Sequence, residues 1–171
     1  MTEHSRHWGE PRLEPVVLHV AEARTAVVRG AGIDAGGLRG FFDTAFGALG
    51  AVLAREQLSP VGPAFSLYPR MPAATVDLEV GFAIDHPLVG RHTTESGLVV
   101  EQSRLPAGAV ATVSHLGSYD GLGEAWQGLV DWAARTGHAA GLPFWEVYVT
   151  EPGPEADPDT MRTDLYLPVS G

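Results

Sequence analysis

Apolar residues recur at three- and four-residue spacing in two stretches of the chain, and this period predicts two amphipathic helices. The first helix begins at Leu38 and ends near Gln57, and Pro60 lies just beyond it, where proline stops a helix. The second follows a turn at Gly117 and Ser118, and its apolar positions are Leu122, Trp126, Leu129, Val130 and Ala133.

Shorter apolar runs rich in Val and aromatic residues predict strands around these helices. The predicted strands are Val16–Val20, Thr25–Arg29, Val61–Tyr68, Thr75–Ile84, Leu98–Arg104, Ala109–His115, Pro143–Thr150 and Thr163–Val169. Glycines at positions 30, 32, 36 and 37 predict a turn before the first helix. Three polar segments complete the chain: a loose arm over residues 1–15, a linker at Asp85–Gly97 and an acidic hairpin tip at Glu151–Thr160.

The element order strand-strand-helix-strand-strand occurs twice, which predicts a duplicated α+β fold with pseudo-twofold symmetry. We expect a single domain over residues 16–171, with repeat one at about 16–84, the linker at 85–97 and repeat two at about 98–169. Each repeat should form an antiparallel sheet with helices on one face. The opposite faces should meet at a central ligand cleft.

An internal match after each predicted helix supports the duplication. Pro63–Tyr68 aligns with Pro143–Tyr148, and this alignment places Ser66 opposite Glu146. Asp77 and Leu78 likewise align with Asp164 and Leu165. Tyr68 and Tyr148 are then expected to face each other across the symmetry axis.

Glu146 is a carboxylate in the middle of an otherwise apolar strand. Strand alternation puts Phe144 and Tyr148 on its face, and puts Trp145 and Val147 on the other face, which we expect beneath the helices. Burial should raise the pKa of Glu146, and such groups cluster at functional sites. The alternative is an exposed sheet face, or a Glu146 paired with an arginine such as Arg104 or Arg162.

Aromatic residues near Glu146 in the predicted fold are candidates for ligand contacts. Tyr68 and Tyr148 offer flat apolar surface with a hydroxyl tip, which suits flat ligands, although core packing is the simpler interpretation. Tyr166 alternates with leucines and is expected on the same face as Glu146. Trp126 is either a core residue or a wall of the pocket.

Composition excludes several classes of function. The 171 residues are 44% hydrophobic and 19% charged, as in globular domains. A net charge of −10, with arginine as the basic residue throughout, disfavours nucleic acid and anionic membranes as direct partners. The N-terminus carries no signal-peptide pattern, and no apolar run approaches the roughly 20 residues that a membrane span needs. We therefore expect a soluble cytoplasmic protein.

The chain also lacks the common signatures of metal, cofactor and nucleophile sites. Its Cys count is 0, which excludes disulfides and thiolate chemistry, and its 7 His show no metal-ligand spacing on one element. There is no Gly-x-Ser-x-Gly motif, and Gly30-Ala31-Gly32 is not a full dinucleotide-binding loop. We expect neither a metal nor a cofactor.

Three segments together carry a resemblance to a known family: His115–Asp120, Pro143–Tyr148 and Asp164–Val169. Their order, with Trp126 and Trp132 on the helix between the first two, resembles the GyrI-like small-molecule-binding domains. These domains also occur as effector-binding modules of AraC-type and MerR-type regulators. The resemblance spans about residues 16–169, and its most specific parts are the His-x-Gly-x-Tyr turn and the Trp-Glu-x-Tyr strand.

The resemblance implies a cleft that receives hydrophobic, often cationic, multidrug-type ligands. Glu146 would be the acidic anchor, with Tyr148 and Tyr68 lining the cleft and Phe144, Trp126, Tyr166 and Ser66 as further ligand-binding candidates. Because Ser66 stands where a second acid would lie, the pocket would be asymmetric.

Three functions are compatible with these residues. The first is a binding module that senses or sequesters planar hydrophobic cations. The second is a hydrolase that opens cyclopropane-containing genotoxic natural products, with Glu146 as general base and Tyr148 or Tyr68 as hydrogen-bond donor. The third is a protein-binding role such as gyrase inhibition through the acidic segment Glu151–Asp159. Since residues 1–15 are too few for a DNA-binding domain, direct regulation would need a partner chain.

Overall fold

The computed structural model describes residues 10–150 and 161–170. In chain order its elements are β1 (Val16–Val20), β2 (Ala23–Asp34), α1 (Leu38–Arg55), β3 (Phe65–Tyr68), β4 (Thr75–Ala83), β5 (His92–Thr93), β6 (Val99–Leu105), β7 (Gly108–Leu116), α2 (Leu122–Arg135), β8 (Ala139–Ala140), β9 (Phe144–Tyr148) and β10 (Arg162–Ser170). The chain divides into two compact units. We call residues 22–106 the central unit, and residues 1–21 with 107–171 the terminal unit.

Each unit contains an antiparallel sheet with the same connectivity. In the terminal unit the strand order is β1-β7-β10-β9, with α2 between β7 and β9 in sequence. In the central unit the order is β6-β2-β4-β3, with α1 between β2 and β3 and with β5 added beside β6. The α+β class and the antiparallel sheets are therefore as predicted, while duplication symmetry itself stays a prediction.

The first strand of each predicted repeat pairs with a strand of the other repeat. β1 pairs with β7 from Val16 opposite Thr112 to Val20 opposite Gly108. β6 pairs with β2 in the same way, from Ala23 opposite Leu105 to Val28 opposite Val100. A repeat boundary drawn along the sequence thus differs from the boundary between the compact units.

The glycine-rich segment before α1 differs from the predicted turn. β2 continues to Asp34, with an irregularity in its pairing with β4 between Gly30 and Ile33. A Cβ atom at Gly30 would collide with the side chains of Ile33 and Phe41. Gly32 has a φ of 62°, a left-handed conformation that glycine adopts readily. These glycines therefore shape a bulged strand rather than a loop.

Two short strands lie where the sequence predicted none. β5 falls inside the predicted linker Asp85–Gly97 and pairs with β6. β8 pairs with the end of β10. The predicted hairpin tip Glu151–Thr160 and most of the predicted arm lie outside the described residues.

The core of the central unit forms between α1 and its sheet. The buried helix positions Leu49 and Val52 belong to one hydrophobic cluster with Val28, Leu78 and Val80 of the sheet. Leu49 and Val52 are three residues apart, which is the spacing that predicted this helix from the sequence. In the terminal unit, α2 buries Leu129 and Ala133. No helix among the described residues is long and apolar enough to cross a membrane.

Gly81→Ala tests the close approach of β4 to β2. A Cβ at position 81 would collide with the backbone oxygen of Ala26, so the strands must separate. We expect a loss of about 2–3 kcal/mol in the free energy of unfolding, measured by urea denaturation.

Gly50→Ala is the matched control for that substitution. Gly50 lies on α1, and a Cβ there meets nothing within 4 Å. Helix propensity alone should then raise the free energy of unfolding by about 1 kcal/mol. Equal effects of both substitutions would contradict the described packing.

Candidate functional site

Glu146 lies in the middle of β9 and is only 7% exposed. The register pairs it with Leu165 of β10, so both side chains project from the same face of the sheet. Both carboxylate oxygens accept a hydrogen bond. Trp126 Nε1 donates to Oε2 at 2.7 Å, and the Tyr148 hydroxyl donates to Oε1 at 2.9 Å.

Aromatic rings surround this carboxylate. The ring of Trp126 meets that of Phe144 edge-on, with centroids 4.7 Å apart. Tyr148 is met edge-on by Tyr119, with centroids 5.9 Å apart. We call Glu146, Trp126, Phe144, Tyr148 and Tyr119 the Glu146 site.

Burial sets the protonation behaviour of this site. Removal from water raises the pKa of the Glu146 carboxyl above its ordinary value. The hydrogen bonds from Trp126 and Tyr148 and the charge of His115 lower it, but they do not outweigh burial. Burial and the neighbouring Glu146 charge also raise the pKa of Tyr119.

Local structure explains why Trp126 reaches Glu146. Residues 126, 129 and 133 recur at three- and four-residue spacing on α2, and Leu129 and Ala133 are buried. α2 packs against β7, β8 and β10 of its own sheet. Trp126, one turn ahead of Leu129, therefore projects over the neighbouring strand β9.

The helix lies on the face of Glu146, not on the face of Trp145 and Val147 as the sequence predicted. The contacts of Trp126 with Glu146 and Phe144 establish this. Trp145 is buried on the opposite face, where its ring stacks on Tyr166 with centroids 5.4 Å apart. Alternation grouped the residues of β9 correctly, but the helix covers the other group.

Tyr166 does not share the face of Glu146, so that expectation was wrong. The register pairs Tyr166 with Trp145 and places Leu165 beside Glu146. Burial and the charge of Asp164 raise the pKa of the Tyr166 hydroxyl. Tyr166 therefore belongs to the packing of the opposite face.

Neither arginine considered as a partner for Glu146 is paired with it. Arg162 forms a buried two-pronged contact with Asp164, with Nε and Nη2 each 2.9 Å from a carboxylate oxygen. Arg104 lies 3.7 Å from Glu22. No ion pair among the described residues includes Glu146.

Ser66 and Tyr68 lie on β3 of the central unit. Ser66 is fully buried and pairs with Val80, and Tyr68 is half-buried against the core of that unit. Their participation in ligand binding stays a prediction. If Ser66 and Glu146 occupy equivalent positions, the strand registers make Val80 equivalent to Leu165 and Glu79 equivalent to Asp164. The predicted alignment of Asp77 with Asp164 is therefore displaced by two residues.

Sequence reasoning missed Tyr119 and His115 as site residues. Both belong to the His-x-Gly-x-Tyr turn, which was noticed only as a family signature. His115 pairs with Thr163, which on its other side pairs with Tyr148, so all three project from the face of Glu146. Among residues 10–150 and 161–170, no group of three His, Asp or Glu side chains could hold a metal ion.

The comparison with protein families identifies the chain. A model described as "GyrI-like small molecule binding domain" matches residues 13–170. The chain belongs to the GyrI-like family. A comparison with curated protein sequences found no significant match.

Solved structures share the fold of this GyrI-like domain. The C-terminal domain of EcmrR has 20% identity and a TM-score of 0.75, over 92% of this chain and 97% of that one. A hydrolase from Listeria innocua has 15% identity and a TM-score of 0.67, over 97% and 96%. SAV2435 bound to tetraphenylphosphonium has 11% identity and a TM-score of 0.62, over 93% and 95%. At these identities the likeness is one of fold.

Glu146→Gln should stabilise the free protein in a pH-dependent way. A carboxyl whose pKa is raised on folding destabilises the fold progressively as pH rises from the pKa of the unfolded chain to the raised value. The amide removes this loss, because its oxygen can accept from Trp126 and its NH₂ can donate to Tyr148. We expect the gain at neutral pH to be about 1.4 kcal/mol for each unit by which folding raises the pKa, and to vanish at acid pH.

Urea denaturation across the pH range measures this difference. Glu95→Gln, at an exposed position, is the control and should change the free energy of unfolding by about 0.5 kcal/mol or less. A Glu146→Gln gain that is independent of pH would contradict the burial argument.

Proposed function

We propose that this GyrI-like domain binds hydrophobic, planar, cationic small molecules, with Glu146 as the acidic anchor, for sensing or sequestration. One observation carries the proposal: a buried carboxylate lies among aromatic rings, and no arginine of the described residues forms an ion pair with it. A bound cation would supply the missing partner.

The surroundings of Glu146 favour a cation with aromatic groups. Each ring face that meets a cation contributes about 0.5–2 kcal/mol, and the Glu146 site contains Trp126, Tyr119, Tyr148 and Phe144. Charge pairing is stronger in such a desolvated site than in water. SAV2435, which shares the fold, is described as bound to tetraphenylphosphonium, a hydrophobic cation that carries four aromatic rings.

The same forces favour several ligands rather than one. Coulomb attraction and ring contacts depend weakly on the detailed shape of the ligand, unlike a set of directional hydrogen bonds. The net charge of −10 also attracts cations and opposes anions.

Hydrolysis is the second candidate function. It is favoured by the hydrogen bond from Tyr148 to Glu146, because this bond places a hydroxyl donor directly beside a carboxylate that could act as general base. Burial raises the pKa of the Glu146 carboxyl, which makes its ionised form a better proton acceptor, as a general base requires. With a cyclopropane-containing substrate, Glu146 would accept a proton from water while the water oxygen bonds to a ring carbon. The ring C–C bond would break and its electron pair would move to a conjugated carbonyl oxygen of the substrate. As Glu146 becomes protonated, the Tyr148 hydroxyl would turn its hydrogen from Glu146 to that oxygen, and the proton held by Glu146 would then complete the product. The neighbour from Listeria innocua is described as a hydrolase.

Glu146→Gln should weaken tetraphenylphosphonium binding at least tenfold, or about 1.4 kcal/mol, because the charge partner is lost. The neutral analogue triphenylphosphine oxide should lose less than twofold. Isothermal titration calorimetry of both ligands measures the difference. Glu95→Gln makes the same change in net charge at an exposed site and should bind both ligands as the unmodified protein does. Equal losses for the two ligands in Glu146→Gln would contradict the anchor.

Tetraphenylphosphonium should bind more tightly as pH rises through the raised pKa of Glu146. The ligand keeps its charge at every pH, so the ionisation of the carboxyl governs the change. One linked proton allows at most a tenfold gain per pH unit. Calorimetry in buffers of different ionisation enthalpy should detect proton release when tetraphenylphosphonium binds to the unmodified protein. Binding to the Glu146→Gln variant should release no proton. A flat pH profile in the unmodified protein would exclude a charged anchor.

Mass spectrometry distinguishes the two functions. A cyclopropane-containing compound incubated with the protein should be recovered unchanged if the domain only binds. A product heavier by one water, absent with Glu146→Gln, would establish the hydrolase instead.

A further inference from the structure

His115 ends β7 on the same face as the Glu146 site. It pairs with Thr163 of β10, and Thr163 pairs with Tyr148 of β9. The imidazole is half-buried, and its charge acts on Glu146.

The ring of His115 closes the turn that follows it. His115 Nε2 lies 2.8 Å from the backbone oxygen of Ser118. A carbonyl oxygen can only accept, so Nε2 carries the hydrogen of this bond. The turn passes through Gly117, which has a φ of 122° and therefore favours glycine.

The same ring also packs against the start of α2. A Cβ at Gly121 would lie 2.8 Å from His115 Cε1 and 3.3 Å from Nε2. Gly121 is the residue that precedes α2, so only a glycine lets the ring approach the chain here. The imidazole thus contacts both ends of the 118–121 segment.

Tyr119 lies inside the segment that His115 holds. Its ring meets Tyr148 edge-on, and the Tyr148 hydroxyl donates to Glu146. Tyr119 is 38% exposed, which leaves ring surface for a ligand. A change in the turn would therefore move the aromatic wall beside the anchor.

We infer that His115 is a positioning residue of the ligand site. Its hydrogen bond to Ser118 and its packing against Gly121 fix Tyr119 against Tyr148, so it acts on the ligand through Tyr119. This inference rests on the proposed cation-binding function of the Glu146 site.

Tetraphenylphosphonium affinity in two variants of His115 tests the inference. His115→Leu keeps the approximate volume but loses the donor, and should weaken binding about three- to tenfold. His115→Gln places an amide N–H where Nε2 lies, and should bind within about twofold of the unmodified protein. Affinity retained in His115→Leu, or lost equally in both variants, would overturn the inference.

A double-mutant cycle shows whether His115 acts through Tyr119. In a Tyr119→Ala background, His115→Leu should cause no further loss of affinity. A further loss equal to that in the unmodified background would overturn the inference. Gly121→Ala provides a second route if His115→Leu does not fold, because it displaces the ring and keeps the histidine. It should also weaken binding at least threefold, and unchanged affinity would count against the inference.

A measurement without ligand separates this inference from the proposed function. The NMR cross-peak between the rings of Tyr119 and Tyr148 should be present in the unmodified protein and in His115→Gln, and lost in His115→Leu. If the unmodified protein does not bind tetraphenylphosphonium, the proposed function fails, while the cross-peak still tests the turn. A cross-peak that persists in His115→Leu would overturn the positioning role.

Discussion

The buried carboxylate of Glu146, with no arginine of the described residues beside it in an ion pair, is the feature on which the rest of this site depends. Burying a charge without an ionic partner is unfavourable unless hydrogen bonds replace the lost water. Here Trp126 and Tyr148 each donate to one of its oxygens. Both donors are aromatic, so the side chains that stabilise the buried carboxylate by hydrogen bonds also form apolar walls around it. This is the basis on which we propose that the site binds a cation.

Secondary structure brings these groups together from distant parts of the sequence. β9 contributes Phe144, Glu146 and Tyr148 in alternation, and α2 contributes Trp126 from above the same face. The turn before α2 contributes Tyr119. The two faces of the sheet differ in chemistry, because the opposite face contains the buried Arg162–Asp164 ion pair. The two carboxylates therefore differ: Asp164 pairs with Arg162, whereas Glu146 forms no ion pair with an arginine of the described residues.

Sequence patterns predicted the helices, most strands and the burial of Glu146 beside aromatic residues, because these depend on local periodicity. Alternation is a property of one strand, so it grouped Phe144 with Glu146 and Tyr148. It does not say which group a helix covers, and this is why Trp145 was placed beneath the helix. Tyr166 was misplaced for a related reason: the face shared by two strands depends on their register, which no single strand encodes. Tyr119 and His115 were missed because the turn that links them, through Gly117 and Gly121, follows no helix or strand period.

The pKa of the Glu146 carboxyl, measured by carbon NMR with and without tetraphenylphosphonium, tests the account most directly. In the free protein the pKa should lie above the ordinary glutamate value, since burial outweighs the two hydrogen bonds. Saturating ligand should lower it, because a bound cation favours the ionised form. A pKa that is already ordinary in the free protein, or that does not move when the ligand binds, would contradict the role of Glu146 as a buried charge anchor.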